Sequence, residues 1–314
     1  MKRSLLLFIP AIIALLVFSC KKDNTNLNTV TPPLYASLDD VFARTAPLAT
    51  TQSIVVSTGG EVISKGGTHI IFPRDAFQSF SGTIITGSVD VKVYDWVKKG
   101  DMIFGKVLPV SNNEALNTSG QAYIEVTQNG IPVRLRKGVY ARVAFPTYKP
   151  NHQANSGDNV YLGQKITGSV NTVNWWGTDP VATVDYSTTD TTAVLTDSFR
   201  YIAASHTLPS SGYSNFTVRI SAPVQLEQTL AVAILTDTSY GIKSVYPVAS
   251  AINNSISAQH IPTQMQYFVV MGINKGVFYG GTKLILQPAT DSIYQVTVQQ
   301  VDPQAFRLDL NALN

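Results

Sequence analysis

Ser88-Val89-Asp90-Val91-Lys92-Val93-Tyr94 decides the fold. From Val89 onward an apolar residue stands at every second position, the period of a strand with one buried face. The same alternation runs through Ala122-Tyr123-Ile124-Glu125-Val126 and Val139-Tyr140-Ala141-Arg142-Val143-Ala144-Phe145. Between such runs lie Gly59-Gly60, Gly66-Gly67, Asn129-Gly130 and Lys137-Gly138, which supply the positive φ angles of tight hairpins. Val, Thr, Tyr and Phe are plentiful and Lys and Glu sparse, a usage that favours strands over helices. Short strands separated by turns point to a sandwich or barrel. The absence of a fixed-period repeat argues against a solenoid or propeller. One segment reads as helix: in Ser37-Leu38-Asp39-Asp40-Val41-Phe42-Ala43-Arg44, Ser37 is a cap and the two acids sit at the positive end of the dipole. It is expected to lie as a short lid on the first β domain.

The chain of 314 residues is long enough for about two domains. Lys149-Pro150 to Gly157-Asp158 breaks the alternation with turn formers and reads as the boundary. Strands resume at Asn159–Leu162, Val181–Tyr186 and Phe216–Ile220. Leu230–Leu235 and Met265–Ile273 are continuous apolar runs of the kind buried on both faces.

With 14% charged residues the chain carries too little charge for a solvated disordered protein. Its 23 basic and 20 acidic residues give a net charge of +3, and Lys2 and Arg3 supply two of those positives. Without them 21 basic residues face 20 acidic ones, so no basic surface for nucleic acid is expected.

Lys2 and Arg3 open a segment with the build of an export signal. Leu5 to Phe18 is apolar except for Pro10, and Ser19-Cys20 follows. The competing reading is a membrane-spanning anchor, but that needs about 20 apolar residues and this run is shorter and holds a proline. Val17-Phe18-Ser19-Cys20 resembles the lipobox of bacterial lipoproteins. The resemblance implies cleavage before Cys20, the only cysteine, and attachment of lipid to its thiol and new amine. Two or three acyl chains hold a protein at a membrane almost permanently. An ordinary cleaved signal ending at Cys is the other alternative. Lys21 to Pro33 is polar and without periodicity, a flexible tether. Lys rather than Asp after Cys20 is unlike the inner-membrane retention signal of enteric lipoproteins, so the resemblance implies the outer membrane. Lys21-Lys22-Asp23 is similar to the surface-export signals of Bacteroidota lipoproteins. Both the periplasmic face and the cell surface stay open.

A second resemblance covers roughly residues 55–146. Gly59-Gly60-Glu61-Val62, Gly66-Gly67-Thr68-His69-Ile70-Ile71-Phe72-Pro73-Arg74-Asp75-Ala76-Phe77, Gly82–Val89, Ser119–Ile124 and Gly138–Pro146 together resemble a ZU5-like β domain, a pattern that recurs in Bacteroidota lipoproteins. Some ZU5 domains cut themselves at His-Phe-Ser; this chain has Ser79-Phe80-Ser81, so that activity is not carried over. In eukaryotic relatives the domain serves protein contacts, which implies binding rather than catalysis.

Motifs for catalysis and metal binding are lacking. The four histidines, His69, His152, His206 and His260, lie in no nucleophile elbow, no His-Glu-x-x-His helix and no metal-ligand spacing, and are expected to be structural. Asp185, Asp190 and Asp197 flank a Thr-rich stretch that matches no calcium loop. Asp190-Thr191-Thr192 and Asp291-Ser292-Ile293 resemble the O-glycosylation signal of Bacteroidota secreted proteins. Trp175-Trp176 is the candidate ligand platform, since neighbours on a strand point to opposite faces and at least one ring is expected outward. The alternative places one Trp in the core and the other at an edge.

The sequence thus predicts an all-β protein of two β-sandwich-like domains after a signal peptide and flexible tether. The expected divisions are residues 1–19 for the signal, 20–50 for the lipidated tether and short helix, 51–148 for the ZU5-like domain and 159–314 for the second. No catalytic residue, metal or other cofactor is expected. The expected partners are the membrane, through lipid on Cys20, and an envelope protein or a glycan. The functional expectation is an outer-membrane lipoprotein acting as a non-catalytic binding or assembly module. A glycan-binding accessory protein using Trp175 and Trp176 is the alternative, and a hydrolase whose site motifs do not reveal is the third.

Overall fold

The computed structural model describes residues 34–112, 114–146, 158–167, 171–176, 183–185, 191–208, 212–236, 243–248, 254–285 and 288–313. Cys20 and the residues expected to form the signal and the tether lie outside them. Leu34–Asn314 forms one compact unit.

In chain order the elements are α1 (Leu38–Thr45), β1 (Thr50–Val55), β2 (Gly60–Ile63), β3 (His69–Phe72), β4 (Phe77–Gln78), β5 (Ser88–Trp96), α2 (Lys99–Phe104), β6 (Val110–Ser111), β7 (Glu114–Gln128), β8 (Ile131–Pro132), β9 (Arg134–Leu135) and β10 (Ala141–Pro146). They continue as β11 (Asn159–Lys165), β12 (Val173–Trp176), β13 (Thr183–Asp185), β14 (Thr191–Thr196), β15 (Tyr201–Thr207), β16 (Tyr213–Ser221), β17 (Gln228–Thr236), β18 (Lys243–Val248), β19 (Ser255–Pro262), β20 (Met265–Asn274), β21 (Val277–Leu284), β22 (Ile293–Thr297), β23 (Gln299–Gln300) and α3 (Pro303–Ala312). The all-β, sandwich-like class is as the alternation predicts.

Among the described residues the largest sheet has 13 strands and runs β12-β11-β15-β7-β18-β17-β20-β21-β23, with β5 also on β7 and β1 on β5. A five-stranded sheet, β13-β14-β10-β3-β2, lies apart from it in hydrogen bonding, as does a three-stranded one, β19-β16-β22. Two apolar cores result. One gathers Val62, Phe72, Phe77, Val91, Ile124, Val143 and Phe145 together with Val160, Val194 and Ile202. The other holds Phe104, Leu116, Trp175, Val232, Phe268 and Phe278.

Both sheet and core cross the boundary expected near residue 150. β14 pairs with β10 over Ala141–Pro146, and β15 pairs with β7 over Leu116–Tyr123. The chain after Asp158 therefore returns to complete the sheets begun before Tyr148, and the division into 51–148 and 159–314 is not where the strands part. β7 serves both cores at once, giving Ala115 and Leu116 to one and Ala122, Ile124 and Val126 to the other.

Asn129 (φ 53) and Gly130 (φ 78) turn β7 into β8, the pair of positive angles an Asn-Gly hairpin requires. Leu230–Leu235 are buried throughout, as predicted, and so are the residues of Met265–Ile273 except Gln266 and Tyr267, which are half-buried. Helix α1 forms where expected, with the Ser37 hydroxyl accepting from Asp40 N at 3.2 Å. Its target differs from the expectation. Leu38, Val41 and Phe42 join the core of Phe104 and Phe268, Phe42 meeting Phe104 edge-on at 5.6 Å, so the lid closes the opposite core. Helix α3 packs beside it: Arg307 Nη1 donates to Thr45 O at 2.8 Å.

Candidate functional site

Five strands of the large sheet align one residue each into a single row. Tyr94 of β5 stands opposite Tyr123 of β7, Tyr123 opposite Tyr201 of β15, Tyr201 opposite Gly163 of β11, and Gly163 opposite Trp175 of β12. These are the positions that alternate with the core residues Val93, Ile124 and Ile202, so they lie together on the other face. The rings of Tyr123 and Tyr201 are 4.6 Å apart, and Tyr94 is 6.2 Å from Tyr123. The three tyrosines are half-buried.

Two buried tryptophans hold the row in place. Trp96, two residues along β5, stacks on Tyr94 at 6.2 Å and 9° and on Tyr201 at 6.1 Å and 19°. Trp175 meets Tyr201 edge-on at 6.4 Å and donates its indole N–H to Leu108 O at 3.0 Å. Gly163 makes this closure possible. A Cβ there would lie 2.7 Å from Tyr201 Cβ and 2.6 Å from Val173 Cγ1, so any side chain would push the row apart.

One rim of the row is polar. Lys92 and Glu125 stand opposite each other one pleat away. Lys92 hydrogen-bonds Tyr94 and its ammonium lies 5.0 Å from that ring's centre; this bond raises its pKa above the ordinary lysine value. Burial, and after it the charge of Glu125, raises the Tyr123 phenol, and burial likewise raises Tyr201. Both stay protonated at physiological pH. On the other side Gln121 stands between Trp96 and Ala203, fully buried, and neither of its side-chain amide atoms has a hydrogen-bond partner among the described residues. The arrangement offers three phenol rings tilted to one another by 47° and 39°, one cation and one carboxylate. It can hold a ring-shaped ligand by stacking and edge hydrogen bonds.

The structure separates the two predicted platform residues. Trp176 is 44% exposed on edge strand β12, and Trp175 is fully buried on the opposite face. Trp175 is therefore a core residue that supports the row, and a platform built from both tryptophans does not form. Cys20 lies outside the described residues.

No family model matches the chain, and no curated protein matches it.

The histidines stand apart from the row. His206 Nδ1 lies 2.7 Å from Asp158 Oδ1 and its Nε2 3.3 Å from Asn117 Nδ2, a side-chain cluster spanning β7, β15 and the start of β11. His69 pairs with Glu61 at 2.6 Å on an exposed strand pair, and His260 stacks on Tyr213 at 3.6 Å. His152 and Asp190 lie outside the described residues. Among the described residues no group of three or more His, Cys, Asp or Glu side chains is placed to hold a metal. Of the two glycosylation-like triplets, Thr192 is buried in β14 and donates to Ser119 Oγ, whereas Asp291 and Ile293 are exposed at the turn into β22.

Of the row, Tyr94 and Tyr123 were visible in the sequence as outward positions of the alternation in Val89–Tyr94 and Ala122–Val126, whereas no pattern singled out Tyr201. What aligns them is register between strands far apart in the chain.

Proposed function

We propose that this protein is a lipid-anchored envelope lipoprotein that binds without catalysing, and that its ligand is a glycan held on the tyrosine row. The observation that carries this reading is the direct opposition of Tyr94, Tyr123 and Tyr201 on three adjacent strands. Strands lie about 4.8 Å apart, so neighbouring tyrosines stand at roughly the spacing of one sugar ring. The apolar face of a pyranose stacks on such rings, while Lys92 and Glu125 supply a donor and an acceptor for its hydroxyls at the rim. The lipobox-like Val17-Phe18-Ser19-Cys20 supports the anchor, and the ZU5-like resemblance of residues 55–146 supports a role in contacts rather than turnover.

The test is a glycan panel followed by titration calorimetry of the best binder. Tyr94→Ala is expected to cost about 1 kcal/mol, a roughly fivefold rise in Kd, and Tyr94→Phe much less. Trp176→Ala is expected to leave affinity unchanged. A binder whose Kd ignores the Tyr94 variant but rises with Trp176→Ala would refute the row as the site. Failure of every glycan, together with a crosslink from the row to an envelope protein, would move the reading to assembly, since tyrosine is also enriched in protein interfaces.

A further inference from the structure

The small ribbon β4–β9 carries a second surface, away from the tyrosine row. Phe77 and Leu135 pair inward and are buried, so their neighbours Gln78 and Arg134, also a pair, face outward. Ile84 bridges to Gln78 on the far side, extending that outward row. The Arg134 guanidinium lies 5.7 Å from the centre of the Phe80 ring and donates to Phe80 O at 3.3 Å, which holds the 79–83 turn with its phenyl group in solvent. Arg136 Nη1 donates to the Asp75 carbonyl at 3.1 Å. Phe80 is 66% exposed, Ile84 54% and Ile131, beside the Asn129-Gly130 turn, 69%. Residues 74–84 and 130–137 hold four cations, Arg74, Arg134, Arg136 and Lys137, against one acid, Asp75. Among the described residues none of the four cations is in an ion pair with a carboxylate.

We propose that this end of the molecule seats on the surface of an anionic bilayer. Charge complementarity chooses the occupant: the chain beyond its first 20 residues is almost neutral, yet this end concentrates three net positive charges. Basic residues beside an anionic lipid surface each contribute attraction, and aromatic and aliphatic side chains enter the headgroup boundary beside them. The form of the surface agrees. Its apolar groups stand on two turns, Phe80 and Ile84 on the 79–84 turn and Ile131 beside Asn129-Gly130, rather than in one flat patch, which suits a soft interface better than the close-packed core of a protein contact. Arg134 lies along Phe80 with Nη2 on Phe80 O, which leaves its other guanidinium N–H groups to meet a phosphate, the posture of a snorkelling side chain.

The fragment Leu34–Asn314 carries both cores and every described strand, and its folding is checked by cooperative unfolding. It lacks Cys20, so the result does not depend on the lipid anchor, and the vesicles used carry no sugar for the tyrosine row to bind. It is sedimented with vesicles of phosphatidylethanolamine and phosphatidylglycerol, and separately with phosphatidylcholine. Binding is expected to the anionic vesicles alone and to weaken with salt. Arg134→Gln with Lys137→Gln is expected to lower partitioning about thirtyfold, and Phe80→Ser several-fold, with unfolding midpoints unchanged because the residues are exposed. Absence of binding, equal binding to both vesicles, or variants that bind like the parent would overturn the proposal. So would a crosslink from Lys137 to an envelope protein in cells without vesicle binding.

Discussion

Replacing Lys99 with methionine is expected to stabilise the protein at neutral pH. Lys99 opens α2 and is 5% exposed, with its ammonium donating to Leu313 O at 3.0 Å beyond the end of α3. Burial lowers its pKa from 10.5 to about 8. At pH 7 the group is charged in both folded and unfolded chains, so the folded state carries the desolvation cost in full, about 3 kcal/mol from a shift of this size. Between pH 8 and 10.5 the folded protein binds fewer protons than the unfolded one, so stability rises with pH there, by up to about 1.4 kcal/mol per unit. It is flat below that window and levels off above it. Methionine keeps most of the side-chain volume and removes the charge, but leaves the Leu313 carbonyl without this donor, a loss of about 1 kcal/mol. The net gain at pH 7 is then about 2 kcal/mol, turning to a loss of about 1 kcal/mol above pH 10.5. Urea unfolding of both proteins from pH 7 to 10.5 measures it. Parallel stability curves, with no convergence as pH rises, would refute the reasoning.

Two further outcomes bear on the sites. Trp175→Phe should cost about 2 kcal/mol or more, because it opens a cavity and leaves Leu108 O without the indole donor, whereas Trp176→Ala should cost less than about 1 kcal/mol; thermal unfolding compares them. Cells fed an alkyne-tagged fatty acid should label the protein, and Cys20→Ser should abolish the label and release the protein from the membrane fraction; label retained on the variant would exclude Cys20 as the acceptor.

The strands were legible because burial imposes a period of two, and Val89, Val91 and Val93 keep it without a break. The Ser37 cap was legible because it acts within one helical turn. What the alternation could not contain was pairing at a distance. A polar stretch between strands reads the same whether it links two domains or returns to one sheet, so residues 149–158 looked like a boundary although β14 and β15 rejoin β10 and β7. The core that α1 covers was hidden for the same reason. Asp302-Pro303 carries a helix start signal, with Asp302 accepting from Ala305 N at 2.8 Å, but it lies in a chain whose composition argues for strands. At the candidate site, alternation assigned Trp175 and Trp176 to opposite faces without saying which was inward. Tyr94, Tyr123 and Tyr201 became one surface only through registers that join residues as far apart as 94 and 201.

The single strand Glu114–Gln128, shared by both cores, also limits how such a chain can change over generations. Recombination moves folds between genes most easily when each piece carries its own core. Here a crossover on either side of residue 150 would leave both daughters with open sheets. Changes that leave both cores intact are those at the rims of the sheets and in the turns between strands, because each half closes sheets begun by the other.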